Sequence, residues 1–317
     1  MTRWAAALAV LVLLALPAVL NSYLVTVFIF IFFYGYLGQA WNIVGGYAGQ
    51  LSVGHAAFVG VGAYVAAVLF QQFGVSPWLG LVAAGAVSAV LGGAIGFLGF
   101  RFGLRGFYFV LLTVAVAELC RVVANNVDAV GGAVGYYITF TGNLRDFQFP
   151  DNRAHYYITL GLMLGATLLA WWLERRRLGI YWTAIREDEG AAEALGVNAF
   201  RVKLLAMVLS SFLTGVGGTF YAFYLMTIQP NAAFGIPLSV EIIIRPIVGG
   251  SGTVLGPVLG SFILSPLAEL SRHYFASGGW TGVHLIVYGA LLVVVVLFLP
   301  EGAYPRLQRA LGRRAGA

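Results

Sequence analysis

Charged side chains are scarce in this 317-residue sequence. Asp, Glu, Lys and Arg make up 9% of it, whereas hydrophobic residues make up 60% and the mean hydropathy is +0.89. Soluble domains carry about 25% charged residues, and so few charges could not cover a surface that faces water. The composition therefore excludes a soluble globular protein and indicates a chain that crosses a membrane several times. The formal net charge of +6 then reflects basic cytoplasmic loops rather than a nucleic-acid-binding surface.

Cysteine, histidine and lysine are also few. A single cysteine, Cys120, excludes an internal disulfide, and the four histidines lie far apart without the HExxH spacing of a zinc site. We therefore predict no bound metal and no cofactor. The single lysine, Lys203, follows the sequence AFRV, whereas a phosphate-binding P-loop requires G-x-x-x-x-G-K-[ST]. Transport driven by ATP would therefore take its energy from another subunit.

Long apolar runs predict an all-α polytopic membrane protein with about ten transmembrane helices. A helix needs about 20 apolar residues to cross the bilayer, and no run alternates as a barrel strand would. The candidate spans are 4–20, 22–44, 53–70, 77–100, 106–123, 155–173, 203–226, 238–249, 255–272 and 282–299. The first could instead be a cleaved signal peptide, although no A-x-A site follows it cleanly. The eighth is short and therefore the weakest candidate.

Basic residues orient these spans. If the N-terminus is cytoplasmic and the spans alternate, 13 of the 18 Lys and Arg residues fall inside, four fall outside and one lies within a span. The positive-inside bias then predicts that both termini and the segment 174–203 are cytoplasmic. Glycines four residues apart also predict close helix packing. These pairs are Gly92 and Gly96, Gly161 and Gly165, and Gly256 and Gly260.

One internal segment holds much of the polar chemistry. Residues 174–203 contain 11 of the chain's 30 charged residues (18 basic plus 12 acidic). Within this segment the alanine-rich stretch 191–195 favours a short helix, Gly196 suits its end, and the preceding acidic residues suit its start. Such a helix could lie in a groove on another protein, or it could be a solvated connector.

Four ionisable residues lie inside predicted spans, where they are functional candidates by default: Glu118, Glu241, Arg245 and Glu269. Glu241 and Arg245 are four apart and can pair, so mutual neutralisation within the bundle is the competing interpretation. The same holds for Glu118 and Arg121. A carrier coupled to an ion gradient would need an unpaired acidic residue near the midplane, and the sequence offers no strong candidate.

Four stretches carry a resemblance to a known family. Residues 45–64 read GGYAGQLSVGHAAFVGVGAY, residues 104–109 read LRGFYF, residues 186–198 read REDEGAAEALGVN, and residues 249–257 read GGSGTVLGP. In this order they resemble the signatures and the EAA-type cytoplasmic loop of branched-chain amino acid permeases of ABC importers, the LivH/LivM family, and the LivM type best. The resemblance spans roughly residues 30–300. Arg245 departs from it, since an apolar residue is expected there.

The resemblance implies a heteromeric importer in the inner membrane. Residues 1–317 would form one permease domain, with a coupling loop at 174–203. A LivH-like second permease would complete the pathway, two ABC ATPase subunits would hydrolyse ATP, and an external binding protein would deliver the solute. This chain would then be a transport subunit and not an enzyme. The alternatives are a urea or amide permease of the same family, or an ion-coupled secondary carrier.

The resemblance also implies site residues. The ATPase contact would be formed by Glu187, Asp188, Glu189, Gly190, Ala191, Ala192, Glu193, Ala194, Leu195 and Gly196. The candidate pathway residues come from the sequence itself: they are Gly54, His55 and Phe58 of the glycine-rich stretch, together with Glu118, Glu241 and Arg245 from the ionisable residues within spans. The first three of these begin the third span, where glycine permits close backbone approach, and they could equally be packing residues.

Overall fold

The computed structural model describes residues 3–276, 289–290, 302–306 and 308–309. Within those ranges the chain is mostly helical, and twelve α-helices are formed. Their bounds are α1 Arg3–Ala15, α2 Ser22–Asn42, α3 His55–Phe73, α4 Pro77–Arg101, α5 Phe107–Asn126, α6 Asn152–Glu174, α7 Arg177–Glu187, α8 Glu189–Ala194, α9 Ala199–Leu225, α10 Pro230–Ala233, α11 Ile236–Gly249 and α12 Gly256–Ala276. Helix α2 continues as a π-helical turn, Ile43–Tyr47.

Seven helical segments of the described chain are long and apolar enough to cross a membrane. They are Ser22–Tyr47, His55–Phe73, Pro77–Arg101, Phe107–Asn126, Asn152–Glu174, Ala199–Leu225 and Pro230–Gly249. These match the second to eighth predicted spans. The polytopic, all-α prediction is therefore confirmed.

The predicted total of ten spans is not reproduced. Helix α1, at the first predicted span, is only 13 residues long. Helix α12, at the ninth, has 21 residues but is not among the seven apolar segments, and it contains Pro266 and Glu269. The tenth predicted span, 282–299, lies outside the described residues apart from 289–290.

At one end of the bundle, the loops between helices contact the segment 174–203. Arg186 Nη1 donates to the carbonyl oxygen of Gly46 at 3.0 Å, just after α2. Arg105 Nη2, in the α4–α5 turn, lies 3.5 Å from Glu189 Oε1. We call this end of the molecule the island end.

The opposite end has its own set of contacts, and we call it the strand end. Ser76 Oγ, after α3, donates to the carbonyl oxygen of Arg145 at 2.7 Å. Strands β1 (Tyr136–Tyr137) and β2 (Thr227–Ile228) pair antiparallel, with Tyr136 opposite Ile228. Successive spanning helices therefore end at alternate ends of the bundle, as a multi-pass chain requires.

Helices α3, α4 and α9 pack at backbone distance. A Cβ atom on Gly62 would lie 2.2 Å from the carbonyl oxygen of Gly215, and one on Gly218 would lie 2.2 Å from that of Val59. On α4, Ser88 Oγ would lie 2.3 Å from a Cβ atom on Gly215. These positions accept only glycine, because small residues are what allow helix backbones to approach so closely.

The three glycine pairs seen in the sequence differ in their surroundings. A Cβ atom on Gly92 would lie 2.1 Å from Ser211 Oγ, and one on Gly260 would lie 1.8 Å from the carbonyl oxygen of Arg245. These two pairs therefore mark the α4–α9 and α11–α12 interfaces. Gly161 and Gly165, in contrast, have open space within 4 Å among the described residues.

We expect Gly218→Ala to destabilise the helix bundle, whereas Gly165→Ala will not. The first methyl group would collide with backbone, and overpacking of this kind costs about 1–3 kcal/mol. The second enters open space and removes a flexible residue from a helix, so it should be neutral or slightly stabilising. Thermal unfolding of both variants in detergent measures the difference. Equal melting temperatures would contradict the packing described for α3 and α9.

Candidate functional site

The polar segment 174–203 folds as two helices, α7 and α8, between α6 and α9. The Asp188 side chain caps α8, since its Oδ1 accepts from the backbone N–H of Ala191 at 3.0 Å. Gly196 ends the turn with φ +86°, and its N–H donates to the carbonyl oxygen of Glu193 at 2.9 Å. The short helix predicted within residues 187–196 is confirmed over 189–194, and Gly196 supplies the left-handed residue that ends many helices.

Helix α8 has an inner and an outer face. Ala192 is 3% exposed and belongs to the apolar cluster that contains Trp182 and Val202, so it packs within the chain. The Glu189 side chain also points inward. The predicted contact residues that lie on the outer face are Glu187, Asp188, Gly190, Ala191, Glu193, Ala194, Leu195 and Gly196. Among them Leu195 is 86% exposed, an unusual position for a leucine on a polar loop.

A buried ion pair fixes the inner face. Lys203 Nζ lies 2.6 Å from Glu189 Oε1, and the lysine side chain is 4% exposed. Its ammonium group also lies 5.1 Å from the ring centre of Phe100 on α4. Because Arg105 approaches the same carboxylate, Glu189 joins α8 to α9 and to the α4–α5 turn. The only lysine of the chain therefore anchors the polar segment.

Arg186, at the end of α7, contacts two glycine-rich loops. Its Nη1 donates to the carbonyl oxygen of Gly46, and a Cβ atom on Gly252 would lie 2.3 Å from that nitrogen. A Cβ atom on Gly49, whose φ is +66°, would lie 2.7 Å from the Arg186 side chain. Glycine is therefore required on both sides of the guanidinium group. The sequence shows these glycines within its motifs, but not that one arginine joins them.

Two buried amides on α2 hold the second of these loops. Asn42 Oδ1 accepts from the N–H of Gly252 at 2.8 Å, and its Nδ2 donates to the carbonyl oxygen of Thr253 at 3.0 Å. Three residues earlier, Gln39 Nε2 donates to the carbonyl oxygen of Val254 at 2.5 Å. Sequence reasoning missed both residues. The signal that could have revealed them is a pair of amide side chains three residues apart in an otherwise apolar helix.

Helix α3 begins inside the bundle rather than at its surface. A Cβ atom on Gly54 would lie 2.0 Å from the carbonyl oxygen of Thr113, the seventh residue of α5. At 1.5 Å per residue, this contact lies about 9 Å along α5 from its island end. The N–H of Ala56 donates to Ser239 Oγ on α11 at 2.9 Å. Gly54 therefore serves close backbone approach at membrane depth.

His55 and Phe58, the other candidates at the start of α3, are packing residues here. His55 is fully buried, and its Nε2 lies 2.9 Å from Ser210 Oγ. Because the Ser210 hydroxyl donates to the carbonyl oxygen of Ala40, it accepts from His55 Nε2–H. His55 Nδ1 then accepts from the Ser52 hydroxyl at 3.1 Å. Phe58 is 1% exposed, so neither ring reaches an open pathway within this chain.

The Glu241–Arg245 pair is an interior feature. Arg245 is fully buried, and its Nη2 lies 3.5 Å from Glu241 Oε2. Its guanidinium carbon stacks 3.6 Å from the ring centre of Tyr34, and its Nε donates to Ser265 Oγ at 3.2 Å. An arginine replaces the expected apolar residue here because a carboxylate, a ring and a hydroxyl together accommodate its charge.

The Glu118–Arg121 pair, in contrast, lies on the outside of the chain. The Glu118 side chain is 48% exposed and that of Arg121 is 31% exposed. Arg121 Nε donates to Glu118 Oε2 at 2.9 Å, and its Nη1 donates to Asn231 Oδ1 on α10 at 2.6 Å. The two predicted charge pairs therefore occupy opposite environments.

Comparison with known proteins identifies the family of this chain. A family model described as the branched-chain amino acid transport system / permease component matches residues 23–296. The chain belongs to this family of permeases. The match includes the glycine-rich loops, α8 and both charge pairs.

The relatives of this permease include LivM and LivH proteins. It is 28% identical to the high-affinity branched-chain amino acid transport system permease protein LivM of Salmonella typhimurium, over 88% of this chain and 69% of that protein. It is 28% identical to LivM of Escherichia coli over 89% of this chain and 70% of that protein. It is 25% identical to LivH of Escherichia coli, over 86% of this chain and 91% of that protein. No solved structure matches the chain.

We expect Lys203→Met to loosen the polar segment of this permease while Arg201→Met leaves it intact. The first change leaves the Glu189 carboxylate without its closest cation, and breaking a buried pair costs about 3 kcal/mol. Arg201 is exposed and serves as the matched control. A glutamate-specific protease should then cleave near residues 187–193 faster in Lys203→Met than in wild type. Equal cleavage rates in all three proteins would contradict an anchoring role for Lys203.

Proposed function

We propose that this permease is the membrane subunit of an ATP-driven importer for branched-chain amino acids, working with separate ATPase subunits. The observation that carries the proposal is the exposed α8, which is joined by Arg186 and Glu189 to the loops at the island end of the bundle. A surface that is both exposed and connected to the membrane helices suits the transmission of force from another protein. The substrate class follows from the names of its LivM and LivH relatives.

The outer face of α8 is the proposed ATPase contact. Leu195 stands out from the loop beside the small residues Ala191 and Ala194, which are also exposed. Exposed leucine is unfavourable in water unless it is covered, and a short helix with a small apolar side fits a groove on a partner. Ala192 and Glu189 hold the helix from behind and do not take part in the contact. The proposed contact is therefore narrower than residues 187–196.

Coupling would pass through the anchors of this helix. A displacement of α7 and α8 reaches the loop after α2 through Arg186, and reaches α9 through Lys203. Because α3, α4 and α9 are packed through glycines, they would shift as a unit rather than deform. Nucleotide-driven closure of two ATPases would thereby switch the pathway between inward-open and outward-open states by rigid-body movement.

The positive-inside bias supports placing the island end in the cytoplasm. That end carries most of the basic loop residues described, namely Arg101, Arg105, Arg175, Arg176, Arg177, Arg186, Arg201 and Lys203. The strand end would then face the outside, where a binding protein would deliver the solute. A LivH-like second permease would complete the pathway in the inner membrane.

The ion pairs within the spans argue against an ion-coupled carrier. That interpretation depended on acidic residues within the spans, and both Glu118 and Glu241 form ion pairs with an arginine on their own helix. Neither residue is therefore the unpaired acidic side chain within a span that such a carrier would need.

We expect Leu195→Glu to weaken association with the ATPase subunits. Truncating or charging a central apolar anchor typically costs 2 kcal/mol or more, which is about a 30-fold loss of affinity. Leu144→Glu is the matched control, because Leu144 is 67% exposed but lies at the strand end. Co-purification from membranes measures the ATPase retained by each variant. Full retention in Leu195→Glu would remove α8 as the docking element.

Uptake by the reconstituted complex tests the function as a whole. With this chain, the second permease, two ATPases and the binding protein in proteoliposomes, labelled leucine should accumulate only with ATP on the island side. Unlabelled isoleucine and valine should compete, whereas urea should not. An ionophore should leave uptake unchanged. Uptake that persists without ATP and is abolished by the ionophore would establish the carrier instead, and competition by urea would establish the amide-type permease.

A further inference from the structure

A polar cluster lies on the outside of α5 near the middle of the membrane. Glu118 is the twelfth of the twenty residues of α5. A helix of this length spans about 30 Å, which is the thickness of the hydrocarbon core, so Glu118 lies within about 3 Å of the helix midpoint. Arg121 is one turn nearer the strand end. Both residues therefore lie well inside the candidate span Phe107–Asn126.

This cluster is unsuited to contact with lipid. Nearly half of the Glu118 side chain and a third of Arg121 are exposed in the isolated chain. Ionisable groups at the bilayer centre are costly, and in membrane proteins they face the bundle interior or a water-filled cavity. Among the described residues none covers them, and such a face is suited to border water or another subunit.

The cluster is held in a defined arrangement. Asn231 Oδ1 accepts from Arg121 Nη1 at 2.6 Å and from Asn125 Nδ2 at 3.3 Å. Asn125 Nδ2 also donates to the carbonyl oxygen of Arg121 at 2.9 Å. The guanidinium group therefore binds Asn231 through Nη1, while its Nε and Nη2 both donate to the Glu118 carboxylate, whose place a solute carboxylate would take. Such a fork is geometrically suited to a carboxylate.

Polarity changes along α5 at this point. Glu118, Arg121 and Asn125 follow one another at three- and four-residue spacing, so they form a stripe that leads from the midpoint to the strand end. On the same side toward the island end, Val114 and Leu111 are apolar. The strand-end half of this face can therefore hold water and charge, and the other half can hold an apolar group.

We propose that Glu118, Arg121 and Asn231 bind the zwitterionic head group of an amino acid midway through the translocation pathway. The Glu118 carboxylate receives the α-ammonium group, and the Arg121 guanidinium group receives the α-carboxylate. An apolar side chain then lies toward Val114 and Leu111. In the absence of solute the two residues neutralise each other, which keeps the site from trapping a lone ion. This inference rests on the proposed transport function and assigns residues to the head group that all of its amino acid substrates share.

The test uses the complete reconstituted complex at saturating binding protein. Glu118→Gln and Arg121→Gln should each lower the maximal rate of leucine uptake at least tenfold. Assembly with the second permease and the ATPases should be retained, and so should stimulation of ATP hydrolysis by the loaded binding protein. Arg153→Gln is the matched control, because Arg153 belongs to an exposed ion pair with Asp151 at the strand end. Its uptake should equal that of wild type.

Exchanging the charges of Glu118 and Arg121 tests whether the pair binds the solute or only stabilises the helix. Glu118→Arg combined with Arg121→Glu restores an ion pair but reverses its polarity, so it should assemble without restoring uptake. Recovery of uptake in the exchanged variant would show a merely structural pair and overturn the proposal. Loss of the second permease from either single variant would show a subunit contact and overturn it as well, as would unchanged uptake. If the wild-type complex itself shows no ATP-driven uptake, that result contradicts the proposed transport function. Failure of the site alone is shown when wild type transports and the Glu118 and Arg121 variants transport equally well.

Discussion

Backbone hydrogen bonding inside the bilayer is the constraint on which this structure depends. Irregular backbone at membrane depth is tolerated only where the protein itself satisfies its N–H and C=O groups. Segment 48–54 leads from the island end to Gly54 inside the bundle and segment 250–255 follows α11, and side chains of α2 bind backbone groups of both. Trp41 Nε1 donates to the carbonyl oxygen of Ser52 at 2.8 Å, while Asn42 and Gln39 bind the second segment. Helix α2 is therefore the element that holds the two glycine-rich loops in place.

The same loops receive the polar segment, and this connects stability with function. Arg186 lies where the two loops meet, and glycines on either side leave room for its guanidinium group. Arg186 therefore links α7 to the loops where the helices of the bundle are interrupted. In many transporters, interrupted helices of this kind lie at the repeat interface that forms the substrate site.

Much of this was predictable from local patterns. Apolar length predicts seven of the spans, and alanine, acidic residues and Gly196 predict α8 in the polar segment. The site was less predictable, because it depends on which residues face each other. Gly54, His55 and Phe58 form a motif, yet all three serve packing. Glu118 and Arg121 are three residues apart and Glu241 and Arg245 are four apart, so each pair lies on one helix face. Only Arg245, however, is buried against Tyr34 and Ser265.

The sequence by itself determined the membrane class, seven of the ten predicted spans, the family and the location of the polar segment, because all of these follow from composition and from short motifs. Tertiary structure alone decided which face each side chain presents. The exposure of Leu195, the burial of Ala192 and the outward position of Glu118 arise from helix rotation and from contacts between residues far apart in the chain. A periodic pattern shows that a helix has two faces, but only its packed neighbours decide which residues of the polar segment remain open to a partner.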